Sequence, residues 1–445
     1  MNGIAHVNSA QKRPNRDTVC GHTVPAHKLR AVSEQLGDHL APPAGPPSGP
    51  VIPTVGMVGA GQLARMTCPA ATGLGIGLRL LAETAADSAA RVWPDVQLGD
   101  YRSLEDLRGL AAGCDVVTFD HEHVPGSALA ALERDGFVLR PGPAALHFAQ
   151  DKLAMRERLT KIGIACPRYA PVSDLADIER FADGASGGAA AGAAGRAAGW
   201  PLVLKTVSGG YDGKGVWVCA SPAEAAGIVA EVTRRGLRLL AEEHVPFDRE
   251  LAALVARSPH RQGAAYPVVQ TVQQMGICRE VIAPAPGLAP DRAEEAESIA
   301  LRIASELDVT GLLAVELFDT PGGLLVNELA MRPHNCGHWT IEGATTSQFE
   351  QHLRAVLDLP LGEPRMLAPC AVMANVLGGT DPDVYDRYIH VMAADPGVKV
   401  HLYGKAARPG RKIGHVTVLG DDAASLRDRA RRAANFLRWG EEDAE

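Results

Sequence analysis

The spacing of apolar positions changes repeatedly along the chain, and each change marks an element. The first regular stretch, VIPTVGMVGAGQLARM from Val51, reads as strand, glycine turn and helix. GLRLLAE predicts a second strand, CDVVTFDHEHVP a third and FVLRPGP a fourth. Leu153, Arg156, Leu159 and Ile162 then recur at helical spacing. WPLVLKTVSGGYDGKGVWVCAS sets two apolar runs around a glycine-rich loop, the pattern of a hairpin, and PAEAAGIVAEVTRRG follows as a helix. LRLLAEEHVPFDRELAALVAR gives two further strands, and residues 292–307 an amphipathic helix. LAVELFDTPGGLLVNELA, from Leu313, is two strands about a Pro-Gly-Gly turn. SQFEQHLRAVLDLPLG returns to the helical period. CAVMANVLGG, VKVHLYG and KIGHVTVLG are strands, and DDAASLRDRARRAANFLRW is a final helix.

These periods predict an α/β fold, α+β in part. Residues 1–50 are polar, then Pro/Gly-rich (APPAGPPSGP), and read as a disordered tail. Residues 51–146 form an N-terminal α/β domain on an open parallel sheet, 147–368 a central domain, 369–435 a small β-rich C-terminal domain and 436–445 a tail. Residues 182–199 are Gly/Ala low-complexity and read as a flexible insert.

Composition narrows the class of protein. Over 445 residues, 46% are apolar and 22% charged, ordinary for a soluble globular chain. A net charge of −8 does not suggest a nucleic-acid partner. No apolar run reaches membrane-spanning length, and the first residues lack the apolar core of a secretory signal. Eight scattered cysteines without a CxxC pair suggest a reducing, cytoplasmic compartment.

The candidate chemistry centres on the Pro-Gly-Gly hairpin. Glu316 and Glu328, twelve residues apart on its two strands, come side by side among apolar neighbours. Two half-buried carboxylates that close repel unless a cation lies between them, and hard oxygen ligands suit Mg²⁺. Arg332 and the polar run His334-Asn335-Cys336-Gly337-His338 follow, completing a site for an anion being phosphorylated. The plainer alternative is a surface hairpin with solvated glutamates. Lys205 stands inside an apolar run and needs an anionic partner. Lys152, in the first turn of a helix, is either solvated or held by a phosphate. Glu242, Glu243 and Glu250 could meet adenine and ribose. Lys405, Arg408, Arg411 and Lys412, on a Pro/Gly turn, suit a phosphate monoester. A competing signal lies earlier. Gly59, Gly61 and Ala64 fit GxGxxG/A, and Glu83 follows about 20 residues on, as a dinucleotide fingerprint asks. Asp120, His121, Glu122 and His123 end the third strand as a polar crevice wall.

In order, these pieces resemble the ATP-grasp ligases, and within them the 5-(carboxyamino)imidazole ribonucleotide synthase family. The strings are GxGQLxRM at Gly59–Met66, GGYDGKG at Gly209–Gly215, NELAxRPHNxGHWT at Asn327–Thr340, SQFEQHLRA at Ser347–Ala355 and RPGRKIGH at Arg408–His415. Cys336 stands where the family usually has serine, Met331 where many members have proline, and His121 and His123 where it has Phe and Asn. The resemblance implies an ATP-grasp architecture with a lid at about 166–245. It implies ATP, Mg²⁺ (or Mn²⁺), bicarbonate as co-substrate and an aminoimidazole ribotide. Lys152 and Lys205 would hold phosphates under a glycine lid that includes Gly210 and Gly213. Glu242, Glu243 and Val245 would meet adenine, Glu250 the ribose, and Glu316 and Glu328 the metal. Arg332, His334 and Asn335 would handle bicarbonate and carboxyphosphate. Tyr211, Asp212 and Gln62 would contact the ribotide, and Lys405, Arg411 and Lys412 its phosphate. A homodimer, with its product passed to a separate mutase, is also implied.

Three rivals differ in what they leave unexplained. An ATP-grasp ligase using formate or an amino acid shares the carboxylates and lysines but does not call for GGYDGKG with RPGRKIGH. An NAD-dependent oxidoreductase rests on Gly59–Ala64 and Glu83 alone. A non-catalytic nucleotide-binding module leaves the filled ATP–metal positions without a purpose.

Overall fold

The computed structural model describes residues 52–184, 197–210, 213–379 and 384–440. The tail at 1–50, most of the insert at 182–199, Tyr211, Asp212 and residues 441–445 lie outside the described residues.

The first layer contains β1 (Thr54–Val58), α1 (Gln62–Leu74), β2 (Gly77–Ala82), β3 (Val96–Leu98), α2 (Leu104–Ala111), β4 (Val116–Phe119), α3 (Gly126–Arg134) and α4 (Pro143–Gln150). Its strands run parallel in the order β3-β2-β1-β4. β4 is buried throughout, as a parallel strand covered on both faces must be. Two expectations change here. β3 is an added edge strand, three residues long and partly exposed, too short to show a period. FVLRPGP supplies only a single bridge, Leu139 to Val117, because Pro141 and Pro143 have no N–H to extend a ladder.

A second layer follows: α5 (Lys152–Lys161), β5 (Tyr169–Val172), α6 (Leu175–Ala182), β6 (Leu202–Thr206), β7 (Val216–Cys219), α7 (Pro222–Arg234) and β8 (Leu239–Glu243). The strands form an antiparallel sheet, β5-β8-β6-β7, and α6 and α7 bury Ile178, Phe181 and Val232 against Leu202 and Leu204.

The third layer is the largest: β9 (Arg249–Arg257), β10 (Gly263–Ala265), β11 (Val269–Gln274), β12 (Ile277–Ala283), α8 (Pro290–Glu306), β13 (Gly311–Thr320), β14 (Gly323–Ala330), α9 (Thr340–Gly343), α10 (Gln348–Val356), β15 (Cys370–Leu377), α11 (Tyr388–Ala394), β16 (Lys399–Leu402), β17 (Lys412–Gly420) and α12 (Ala423–Trp439). Eight strands run in the order β14-β13-β9-β11-β12-β15-β17-β16, with β10 on β9. The strands after Pro369 therefore continue the central sheet, β15 pairing with β12. α12 extends to Trp439, into the stretch read as a tail, and ends at Gly440, whose left-handed φ of 79° closes the helix. Among the described residues no helix is long and apolar enough to cross a membrane.

His352 fastens the first layer to the third. Its Nδ1 accepts from the Leu312 N–H at 3.3 Å, so Nε2 carries the proton and donates to Thr118 Oγ1 at 2.7 Å. Burial pushes this imidazole down to about 3.

Candidate active site

β13 and β14 place Glu316 directly opposite Glu328. The register then slips: Leu317 pairs with Val326, and Asn327 is left over as a bulge. Bulges re-aim side chains beside active sites, and this one turns neighbouring residues toward the second layer. Glu328 meets Lys152 Nζ at 2.9 Å, and Asn327 Oδ1 accepts from Lys205 Nζ at 2.9 Å. The helix-terminal Lys152 thus has a protein partner. Burial pushes the Glu316 carboxyl up to about 7, and the Glu328 and Glu250 charges add to the effect. Burial would raise Glu328 too, but Lys152, with Lys205 and His334, outweighs it and holds the carboxyl below its ordinary range. One strong acid beside one reluctant acid, with Asn327 adjacent, is a donor set that fits a hard divalent cation.

Lys205 is buried as the apolar run required, and its anionic partner is Glu242, at 2.7 Å. The Glu242 side chain thus has protein partners of its own. Its carboxylate faces inward, 2% exposed, between Lys205 and Arg156, whose Nε donates to it at 2.7 Å. Burial would raise this carboxyl, but the two cations dominate and hold it at about 2. Glu243 is likewise occupied, by the Arg168 backbone N–H at 2.9 Å and its Nε at 2.8 Å. Val245 lies half-buried in the link between β8 and β9. Glu250 faces the same cleft as Glu316, and burial raises it to about 7. The ring of Phe318, cross-strand from Glu250, stacks on Phe247 with centroids 4.7 Å apart. In the glycine loop, Gly210 and Gly213 have φ of 84° and 76°, and a Cβ on Gly213 would meet Gly276 Cα at 3.1 Å. The loop therefore rests on the β11–β12 turn.

Arg332 Nε donates to Glu122 Oε2 at 2.7 Å, so the crevice-wall acid is the partner of the anion-site arginine. His334 Nε2 lies 3.7 Å from Glu316 Oε1. Burial, then Arg332 and Lys412, lower its imidazole to about 3, so it is neutral. The departure at Cys336 brings a thiol 3.2 Å from His334 Nδ1, and burial raises that thiol well above its ordinary value. Both side-chain polar atoms of Asn335 are buried without a protein partner, as an unfilled polar subsite requires.

A cavity of about 360 Å³ opens outside the carboxyl ends of β1, β2 and β4, where the parallel sheet reverses its order. Gly59–Gly61, Asp120, His121, Lys405 and Arg411 are among its lining residues. Lys405 Nζ donates to Gln62 Oε1 at 2.6 Å across 343 residues of sequence. Lys412 does not line this cavity. Its charge also reaches Glu316, His334 and His338, at the carboxylate pair.

Here the dinucleotide signal fails. Asp120 accepts hydrogen bonds from the Gly61 and Ala64 N–H groups, capping α1 where a pyrophosphate would sit. A Cβ at Gly61 would lie 2.5 Å from Asp120 Oδ2, so this glycine admits a carboxylate of the protein itself. Reading the sequence alone also missed Arg156, hidden as one more member of a helical face, and Asn327, whose bulge has no sequence period.

Four histidines, His334, His338, His352 and His415, are held neutral by burial. The unfolded chain protonates each below about pH 6.5, so their contribution is full above that pH and is lost as pH falls. Glu250 and Glu316, both raised to about 7, oppose this, because the folded state keeps their protons down to the ordinary carboxyl range. The buried histidines outnumber the raised carboxyls, so the unfolded chain binds more protons near pH 5.5 and stability falls with pH there. Urea midpoints at pH 7.5, 6.5 and 5.5 are expected to fall with steepening slope. A flat profile would contradict the neutral burial of these rings.

Comparison with known proteins agrees with this architecture. A ribonucleotide synthetase preATP-grasp domain model matches residues 52–150, an ATP-grasp domain model 157–349, and a phosphoribosylaminoimidazole carboxylase C-terminal domain model 371–429. The N5-carboxyaminoimidazole ribonucleotide synthase of Mycobacterium bovis is 54% identical over 394 residues, covering 88% of this chain and 89% of the relative. That of Corynebacterium ammoniagenes is 48% identical over 419 residues, covering 92% and 97%. The crystal structure of N5-carboxyaminoimidazole synthase from Aspergillus clavatus with ADP and 5-aminoimidazole ribonucleotide superposes with a TM-score of 0.77 at 30% identity, covering 87% of this chain and 98% of that one. With its three domain types in order and half its residues shared with curated members, the chain belongs to the N5-carboxyaminoimidazole ribonucleotide synthase family of ATP-grasp ligases.

Proposed function

We propose that the carboxylate cleft and the cavity at the parallel sheet work together in the ATP- and bicarbonate-dependent carboxylation of 5-aminoimidazole ribonucleotide. The products are N5-carboxyaminoimidazole ribonucleotide, ADP and phosphate, and the step belongs to de novo purine biosynthesis. The observation that carries the reading is the Glu316–Glu328 cross-strand pair, with Lys152 bonded to Glu328, Lys205 to the adjoining Asn327, and His334 3.7 Å from Glu316.

Glu316, Glu328 and Asn327 would hold Mg²⁺, which when bound supplies Lewis-acid polarisation of the phosphate oxygens. Lys152 and Lys205 turn their remaining N–H donors to phosphate oxygens, and Phe318 with Phe247 offers adenine an apolar floor. Glu250 takes the ribose hydroxyls; its raised carboxyl reflects a dry wall that a hydroxyl pair would satisfy. Arg332, the Asn335 amide, neutral His334 and Lys412 hold bicarbonate and steady the charge as it is phosphorylated. Gln62, Lys405 and Arg411 hold the ribotide, its phosphate toward the two cations, with Tyr211 and Asp212 of the glycine loop contacting its aminoimidazole. Water exclusion by that loop protects carboxyphosphate, which water would hydrolyse. The enzyme acts in the cytoplasm as a homodimer, a setting that the free cysteines, seven among the described residues, support for the compartment alone.

The test is ADP release with bicarbonate, with and without the ribotide, following NAD(P)H absorbance in parallel. Release is expected to need both bicarbonate and ribotide, with no change in absorbance. Formate or an amino acid replacing bicarbonate would assign the site to another ATP-grasp ligase.

A further inference from the structure

Arg156 sits one turn after Lys152 on α5 and is 1% exposed. A charge so deeply buried costs several kcal/mol unless it is fully paired. It is paired three ways: Nε to Glu242 Oε1 at 2.7 Å, Nη1 to the Val326 carbonyl at 3.0 Å, and Nη2 to the Asn327 carbonyl at 2.8 Å. Both carbonyls belong to the bulge in β14, where the register skips Asn327 and the strand leaves polar groups for other donors. A guanidinium matches that need because its donors lie fixed in one plane.

Arg156 and its partners stand on three different pieces of the nucleotide site. Glu242 is on β8 and holds Lys205 through its second oxygen. Asn327 also bonds Lys205, and Glu328 follows it directly. Arg156 itself is on the helix whose first residue, Lys152, bonds Glu328. We propose that Arg156 is a positioning residue, resting on the functional reading above: it holds the β14 bulge against α5 and β8, and so sets the spacing of Glu328, Lys152 and Lys205. It touches no substrate. Without it, the bulge carbonyls lose their donor and the second layer loses its fixed distance from the carboxylate pair.

Arg156→Lys and Arg156→Met test this by equilibrium binding of Mn²⁺-ADP and of ribotide, steady-state kinetics, and urea stability. In both variants, affinity for Mn²⁺-ADP and kcat/KM for ATP are expected to fall about 10- to 100-fold, the scale of an ångström of misplacement. Ribotide affinity is expected to stay within about twofold, because that cavity shares no partner with Arg156. Lysine is not expected to rescue, since one ammonium cannot reproduce the planar fork. Wild-type values for ATP in Arg156→Lys would overturn the proposal. So would equal losses for ATP and ribotide, or a lysine variant that fails to fold, since each marks a purely structural residue. The functional reading fails separately, if the wild-type protein binds neither Mn²⁺-ADP nor ribotide.

Discussion

Glu328→Gln is expected to lower turnover by about 10²-fold or more while the protein stays folded. Glutamine preserves the shape of the side chain and removes its charge. Two things then change at once. Lys152, 2.9 Å away, loses the only carboxylate with which it forms an ion pair among the described residues. Glu316 loses the neighbouring charge that, after burial, contributes most to its raised carboxyl, so its proton affinity falls. A divalent ion that would need both oxygens would be held by one, and the phosphate it would orient would lose its alignment. Mn²⁺ titration followed by paramagnetic resonance checks the metal directly, and turnover at limiting Mg²⁺ checks the consequence. Unchanged metal affinity with wild-type turnover would remove Glu328 from the site.

The second large effect separates two neighbouring cations. Arg411→Ala is expected to raise the KM for the ribotide roughly 10- to 150-fold, the loss of one charge-assisted hydrogen bond worth about 1.5–3 kcal/mol. The KM for ATP should hardly move, because Arg411 lines the cavity at the parallel sheet, whose lining residues include neither Lys152 nor Lys205. Lys412→Ala is expected to do the reverse. Its charge acts on Glu316 and His334, so the variant should lose bicarbonate affinity and kcat while ribotide KM stays near wild type. Varying each of the three substrates in turn decides it. If the two variants behaved alike, the basic turn would act as one phosphate site and the division would fall.

That division was not legible in the sequence, where Arg411 and Lys412 are adjacent and equally basic. Lys412 begins β17, where alternation sends successive side chains to opposite faces, whereas Arg411 is still in the turn. The hairpin was legible from two strands and a short turn, but its unbroken register would set Glu316 opposite Asn327, and the bulge that brings Glu328 there was not. The demand of Lys205 for an anion was legible too. The identity of that anion was not: Glu242 and Glu243 are neighbours of the same chemistry, and only packing decides which turns inward. The glycine fingerprint misled for a related reason. It reports a tight turn before a helix, and Asp120, which decides what the turn holds, is far away in sequence.

The bond between Gln62 and Lys405 spans 343 residues, which sets a timetable for synthesis as well as a distance in space. At about 5–20 residues per second, roughly 17–70 s separate the emergence of the two ends. For that interval the parallel sheet stands beside the ribosome with its ligand crevice unwalled. Asp120 caps α1 with a carboxylate made within the same early segment, so the helix end is satisfied before any later residue or ligand arrives. The nascent layer can therefore wait as a finished unit, and the ribotide cavity is completed only as the last strands dock.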